Sequence, residues 1–494
     1  MSTAPWPRLR TLLAERAALA RACGRAQLVV VRTSLPAAEA VDPLRLFAAG
    51  SAAEARFFLE QPRERRAIAA CGAVATLEGR GGDRFPAAVR ALRELCERLV
   101  IVEDGPADAA APLLVGGFGF APDPEARRPG RDLAWSGFGD LRFVLPERLV
   151  MREGERAWVA IATRVEPGDG EDELAAKLAP LRAGQGETAL RLRAPGDLSG
   201  EAAPEQASLA AQSYSLRPDG AAEDYRRLVA EALDAIRKGE LEKVVVARAV
   251  EVEAARAFEA PALLAELRRS HPACATFAVA PAAGAGGGAP VFAGSTPELL
   301  ARVRAGWVEA AAVAGTAPRG RTRRDDAALG RALRTSAKER AEHACVVREI
   351  ERAMAPLCDA IERPAEPELL ALDGLQHLAT PLRGRLRAGS GVGLLEVVGA
   401  LHPTPAVAGA PREAAERWLD ARERLARGWY GGGVGFLDAA GGGELHVALR
   451  CALLRERQAR LFAGAGVVEG SLPEAELRET RLKLRTLLEP LLEL

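Results

Sequence analysis

The order of hydrophobic and polar positions divides the chain into helix-like and strand-like segments. Phe85–Leu99 (FPAAVRALRELCERL) repeats apolar residues at helical spacing, whereas Leu141–Val150 and Ala157–Arg164 alternate or run apolar as strands do. Residues 1–193 therefore predict mixed α and β structure. Residues 194–213 are rich in Ala, Pro, Gly, Ser and Glu without a periodic apolar face, and predict a connecting loop.

Residues 214–494 carry the sharper patterns. Asp224–Lys238 gathers Tyr225, Leu228, Val229, Ala232, Leu233 and Ile236 on one helical face. After Gly239 the run Val244–Val246 turns to strand character, which places Lys243 at the helix-to-strand transition. Thr276–Val279 and Pro290–Ala293 flank Gly284–Gly288 as a hairpin with a long loop would.

Asp326–Met354 predicts one long helix with Glu339, Glu342 and Glu349 on a face, Lys338 and His343 beside them and Cys345 at its edge. Near the end, the strand-like run Ala459–Phe462 leads into Ala463-Gly464-Ala465-Gly466, read as a loop. A final helix from about Glu474 to Leu491 follows, with Glu476, Glu479 and Lys483 on one face. No repeat at solenoid or propeller periods, no heptads and no GxxxxGK[ST] appear, so nucleoside phosphates have no obvious seat.

Composition narrows the function. Lys+Arg and Asp+Glu both count 67, so the chain lacks the basic field that nucleic acid or an anionic membrane requires, and a small-molecule ligand is the better expectation. No run of eighteen apolar residues predicts a membrane span, and the arginine-rich N-terminus lacks an apolar signal core, so a cytoplasmic protein is expected. The seven cysteines are scattered and never in a CxxC pair, which fits a reducing compartment.

Lysine is scarce: it stands only at positions 177, 238, 243, 338 and 483. Arginine does not release its proton in a protein whereas a suitably placed lysine does, so each retained lysine is a candidate for chemistry. Carboxylates from two helices suit magnesium, which takes few protein oxygens, several waters and an anionic substrate. Backbone amides in the 463–466 run, free of side-chain bulk, could face a substrate carboxylate nearby.

Several segments, in their order, resemble the chorismate-utilising enzymes of menaquinone, siderophore and tryptophan synthesis, and among them the isochorismate synthases. They are Glu242-Lys243-Val244-Val245-Val246-Ala247-Arg248, Phe292-Ala293-Gly294-Ser295-Thr296-Pro297-Glu298-Leu299, Ala314-Gly315-Thr316 and Leu401-His402-Pro403-Thr404-Pro405-Ala406-Val407. Val447-Ala448-Leu449-Arg450-Cys451, the AGAG run and RETRLK at 478–483 complete the series. The resemblance implies an α+β fold: one large two-sheet sandwich flanked by helices, with the active site between the sheets.

It also implies a reaction, in which a nucleophile attacks C2 of chorismate and the C4 hydroxyl leaves. Lys243 matches the general base of members that use water, and Glu298 matches the general acid for the departing hydroxyl. Glu342 and Glu479 match ligands of Mg2+, with Glu476 holding metal-bound water. Arg450, Tyr430, Gly464 and Gly466 match contacts to the enolpyruvyl carboxylate, and Lys483, Gly315, Thr316, His377 and Ala406 complete the substrate pocket. His402 belongs to a loop signature.

Ala314 stands where aminodeoxychorismate synthases carry a nucleophilic lysine, so no covalent intermediate is expected, and with Lys243 where the ammonia-using anthranilate synthases have glutamine, no glutaminase subunit is expected either. The expected product is isochorismate, made by a monomer or homodimer. Salicylate synthase, which goes on to eliminate pyruvate, is the nearest alternative, and a non-catalytic chorismate-binding protein is another. The long N-terminal part leans towards menaquinone rather than siderophore synthesis.

Overall fold

Strand pairing runs across the whole chain, so the N-terminal and C-terminal parts build the same two sheets. The computed structural model describes residues 6–35, 41–104, 111–122, 135, 137–181, 214–218, 220–283 and 288–493. The connection expected at 194–213 lies outside the described residues. Among the described residues one sheet has 13 strands and the other 10. Every pairing among the described residues is antiparallel except that of Gln27–Leu35 with Leu99–Asp104.

In the larger sheet the 12-residue strand Lys243–Ala254 pairs with Gln458–Val467, and N-terminal strands such as Arg56–Gln61 join through Ala275–Ala280. In the smaller sheet, Trp307–Pro318 pairs with Leu375–Leu386, and Pro112–Phe118 joins through Gly433–Asp438. The sandwich core between them holds Phe57, Phe277, Phe292 and Phe462 from one sheet and Val115, Val434 and Phe436 from the other. Helices Arg84–Glu97, Ala337–Met354 and Leu394–Leu401 cover the smaller sheet, and Ala260–Ser270 packs on the larger. This is the flanked two-sheet α+β sandwich expected.

Local readings differ from the structure where a turn or a partner strand overrides the pattern. Leu141–Val150 is two strands, Leu141–Leu145 and Arg148–Glu153, because the chain turns at Pro146-Glu147 to join different sheets. The long helix over 326–354 is two, Arg323–Thr335 and Ala337–Met354. Ser336 separates them in extended conformation, and its hydroxyl accepts the Glu339 N–H as the second helix's cap. The run 463–466 is no loop: it continues the strand Gln458–Val467, and Gly464 and Gly466 lie opposite Ala247 and Val245. The hairpin is as expected, with Ala275–Ala280 against Val291–Thr296.

Candidate active site

Two neighbouring chain segments cross between the sheets in opposite directions, one from the larger to the smaller and one back. Val291–Thr296 passes into Leu299–Arg304 through Pro297-Glu298, and Gly443–Val447 passes into Cys451–Arg455 through Ala448-Leu449-Arg450. The crossings are laced to each other. Ser295 N donates to Arg450 O at 3.0 Å, Val447 N to Glu298 O at 3.0 Å, and Thr296 Oγ1 to Val447 O at 2.6 Å. Glu298 and Arg450 thus stand side by side where the sheets meet, Arg450 in left-handed backbone conformation at φ 46°.

Burial dominates the Glu298 carboxyl and raises it to about 8, although the charges of Lys243, Lys483 and Arg450 pull the other way. At neutral pH it is a protonated acid. Arg450 donates through Nη2 to His377 Nε2 at 3.0 Å and through Nη1 to Thr486 Oγ1 at 3.3 Å. His377 Nε2 is therefore an acceptor, which leaves the proton on Nδ1, 3.1 Å from Gly315 O. Burial and the Arg450 charge hold His377 well below its ordinary value, so the ring is neutral.

The smaller sheet brings Gly315 and Thr316 to the same place. A register shift between Ala314 and Thr316 forms a bulge, and Gly315 supplies the positive φ of 77° that it needs. Thr316 N then donates to Glu339 Oε2 at 3.0 Å, and Thr316 Oγ1 lies 3.2 Å from His377 Nδ1.

Lys243, 1% exposed, opens the strand Lys243–Ala254 and places Nζ 2.9 Å from Glu342 Oε1. Across the ladder the two glycines make room for side chains of the site. A Cβ on Gly466 would stand 2.2 Å from Glu342 Oε1 and 2.9 Å from Lys243 Cε, and one on Gly464 2.8 Å from the Tyr430 hydroxyl. Tyr430 is buried and stacked on Phe462 with ring centroids 5.3 Å apart. Ala406 lies in the loop after Thr404, which returns to the lysine strand where Val245 N donates to Ala408 O at 2.8 Å.

Four carboxylates come from two helices, Ala337–Met354 and Pro473–Leu492. Each has a lysine partner: Glu342 with Lys243, Glu479 with Lys483 at 2.6 Å, Glu476 with Lys338 at 3.0 Å, and Glu339 with Lys338 at 3.4 Å. Lys483 Nζ also donates to Gly464 O at 3.0 Å. Burial, then the charge of Glu479, raises Glu476. Burial also opposes ionisation of Glu479, but Lys483 together with Lys338 and Arg450 overcomes it and the carboxyl is held below its usual range. Glu349 pairs instead with Arg348 and Arg352 and takes no part.

Among the described residues no three His, Cys, Asp or Glu side chains are grouped closely enough to hold a metal ion. Magnesium asks for less, since one or two carboxylates completed by water and substrate oxygens satisfy it. The hard oxygen donors of Glu342 and Glu479, with Glu476 beside them, fit that chemistry.

Sequence reasoning singled out Lys338 by its scarcity but gave it no role, and Glu339 was a candidate by its helix face alone. It missed Arg427 and Glu423, which an arginine-rich chain does not make conspicuous. His402 is structural: its buried ring donates from Nε2 to Phe120 O at 2.7 Å.

Residues 16–492 match the family model described as chorismate binding enzyme. The chain belongs to that family. Among curated members it is 38% identical over 492 residues to the salicylate biosynthesis isochorismate synthase of Pseudomonas aeruginosa, covering 98% of this chain and 96% of that one. It is 30% identical to the isochorismate synthase MenF of Bacillus subtilis, covering 92% of each. The solved structure of MenF, the menaquinone-specific isochorismate synthase of Escherichia coli, superposes with a TM-score of 0.74 at 25% identity over 96% of this chain and 99% of that one. Among the described residues of this chorismate-binding enzyme no helix is long and apolar enough to cross a membrane.

Proposed function

We propose that the protein isomerises chorismate to isochorismate. The observation that carries this reading is that a buried lysine and a buried carboxyl, Lys243 and Glu298, lie in one site, close enough for the lysine charge to act on the carboxyl. Water is the nucleophile. Lys243, released from Glu342 and acting as the neutral amine, takes a proton from the water as it attacks C2, and Glu298 gives a proton to the C4 hydroxyl as it leaves, so hydroxyl is exchanged without net redox change. Ala314 offers no amine for a covalent intermediate.

Arg450, oriented by His377 and Thr486, receives the enolpyruvyl carboxylate, with Tyr430, Gly464 and Gly466 around it. Gly315, Thr316, Ala406 and Lys483 line the remainder. Glu342 and Glu479, with Glu476 beside them, would hold magnesium. When bound it would offset the negative charge that otherwise repels a dianionic substrate. The relatives matched over almost the full length carry the isochorismate synthase name, which supports this product over salicylate. No glutaminase subunit is required, because ammonia takes no part.

Purified protein incubated with chorismate, with Mg2+ or EDTA, tests the reading by chromatography of chorismate, isochorismate, salicylate and pyruvate. Metal-dependent isochorismate without pyruvate, lost in Lys243→Ala, supports it. Salicylate with pyruvate moves the protein to the lyase branch, and absence of turnover sinks the assignment.

A further inference from the structure

The strand bearing Lys243 has an interrupted outer edge. Gly409-Ala410 pairs with Lys243 and Val244, Tyr214–Pro218 pairs with residues 250–254, and among the described residues no strand is attached between them. The main-chain groups of that gap still need partners. Two buried side chains supply two of them: Arg427 Nη2 donates to Val245 O at 2.7 Å, and Glu423 Oε2 accepts the Ala247 N–H at 2.9 Å.

The same guanidinium donates through Nη1 to Val407 O at 2.8 Å, is tied to Glu423 by Nε and Nη2, and lies over the Phe120 ring with Cζ 4.2 Å from its centroid. Tyr430 N donates to Arg427 O at 3.0 Å. We propose that the Glu423–Arg427 pair is a positioning device that stands in for a strand, fixing Lys243, the Ala406 loop and Tyr430 relative to one another. A true strand in the gap would bar the Ala406 loop from the site. An apolar filler would leave Val245 O, Ala247 N and Val407 O without partners. A planar fork of donors joined to a carboxylate meets all three demands at once.

The inference rests on the isomerase reading above, and its test separates the two. Chorismate turnover is measured for wild type, Arg427→Lys and Phe120→Leu, each shown by circular dichroism to be folded at the assay temperature. Lysine keeps the charge but not the fork, and is expected to lower kcat and raise KM, reducing kcat/KM at least about tenfold. Phe120→Leu removes the surface beneath the guanidinium while deleting none of its hydrogen bonds, and is expected to reduce kcat/KM about threefold. Folded variants with wild-type kcat and KM overturn the proposal. If Arg427→Lys does not fold, wild-type kinetics in Phe120→Leu overturn it alone. A wild type that forms no isochorismate defeats the isomerase reading itself.

Discussion

Lys243 reaches over Gly466, the register partner of Val245 on the neighbouring strand: the lysine Cε lies 2.9 Å from the point where a Cβ on Gly466 would stand, and Glu342 Oε1 lies 2.2 Å from that point. The glycine is what lets the strand's lysine and a helix carboxylate meet over the ladder. Gly466→Ala is expected to push both away and lower kcat at least about tenfold, with a modest fall in melting temperature. Chorismate turnover and thermal unfolding check it, and unchanged kcat would show that the pair tolerates displacement.

Lys243→Arg retains a positive charge for Glu342 but no base, because guanidinium does not deprotonate. The expected loss in kcat is about 10²–10⁴-fold. Comparable activity in the variant would remove lysine from the proton-transfer role.

Glu298 gives a pH signature. It acts protonated and is raised to about 8, so kcat/KM should fall as pH rises through that value. Stability follows the same direction. The folded carboxyl holds its proton to higher pH than the unfolded one, so stability is full below the ordinary carboxyl range and declines as pH rises towards 8. Glu298→Gln should flatten that decline while abolishing turnover, as read from melting temperatures between about pH 5 and 9.

Glu479→Gln removes a charged oxygen donor and the partner of Lys483. Magnesium binding in the presence of chorismate, followed by calorimetry, is expected to weaken at least about tenfold. Equal affinity would place the metal elsewhere.

Arg450→Lys loses the hydrogen bonds that hold the side chain between His377 and Thr486. KM for chorismate should rise about tenfold or more, since an ammonium does not reproduce a bidentate fork. A change confined to kcat would argue against carboxylate binding at this position.

The periodic elements were legible because their side chains report burial directly. The Tyr225 face of Ala222–Arg237 and the carboxylate face of Pro473–Leu492 follow from helical spacing alone. The break at Ser336 was not, since polar residues on both sides keep helical spacing through it. The AGAG run misled for the opposite reason. Glycine favours loops by itself, yet here it continues a strand whose neighbours fill the space a side chain would take.

By itself the sequence determined mixed α and β structure, the scarce lysines and the order of motifs that places the chain among chorismate-binding enzymes, the two-sheet sandwich being what that resemblance implied. Those properties are carried by residue identity and spacing along one dimension. Tertiary structure alone decided the raised Glu298 carboxyl, the neutral His377 and the Arg427 fork in the gap of the lysine strand. Each depends on groups more than fifty residues apart meeting away from water, and desolvation and hydrogen-bond direction exist only once the sheets have closed over them.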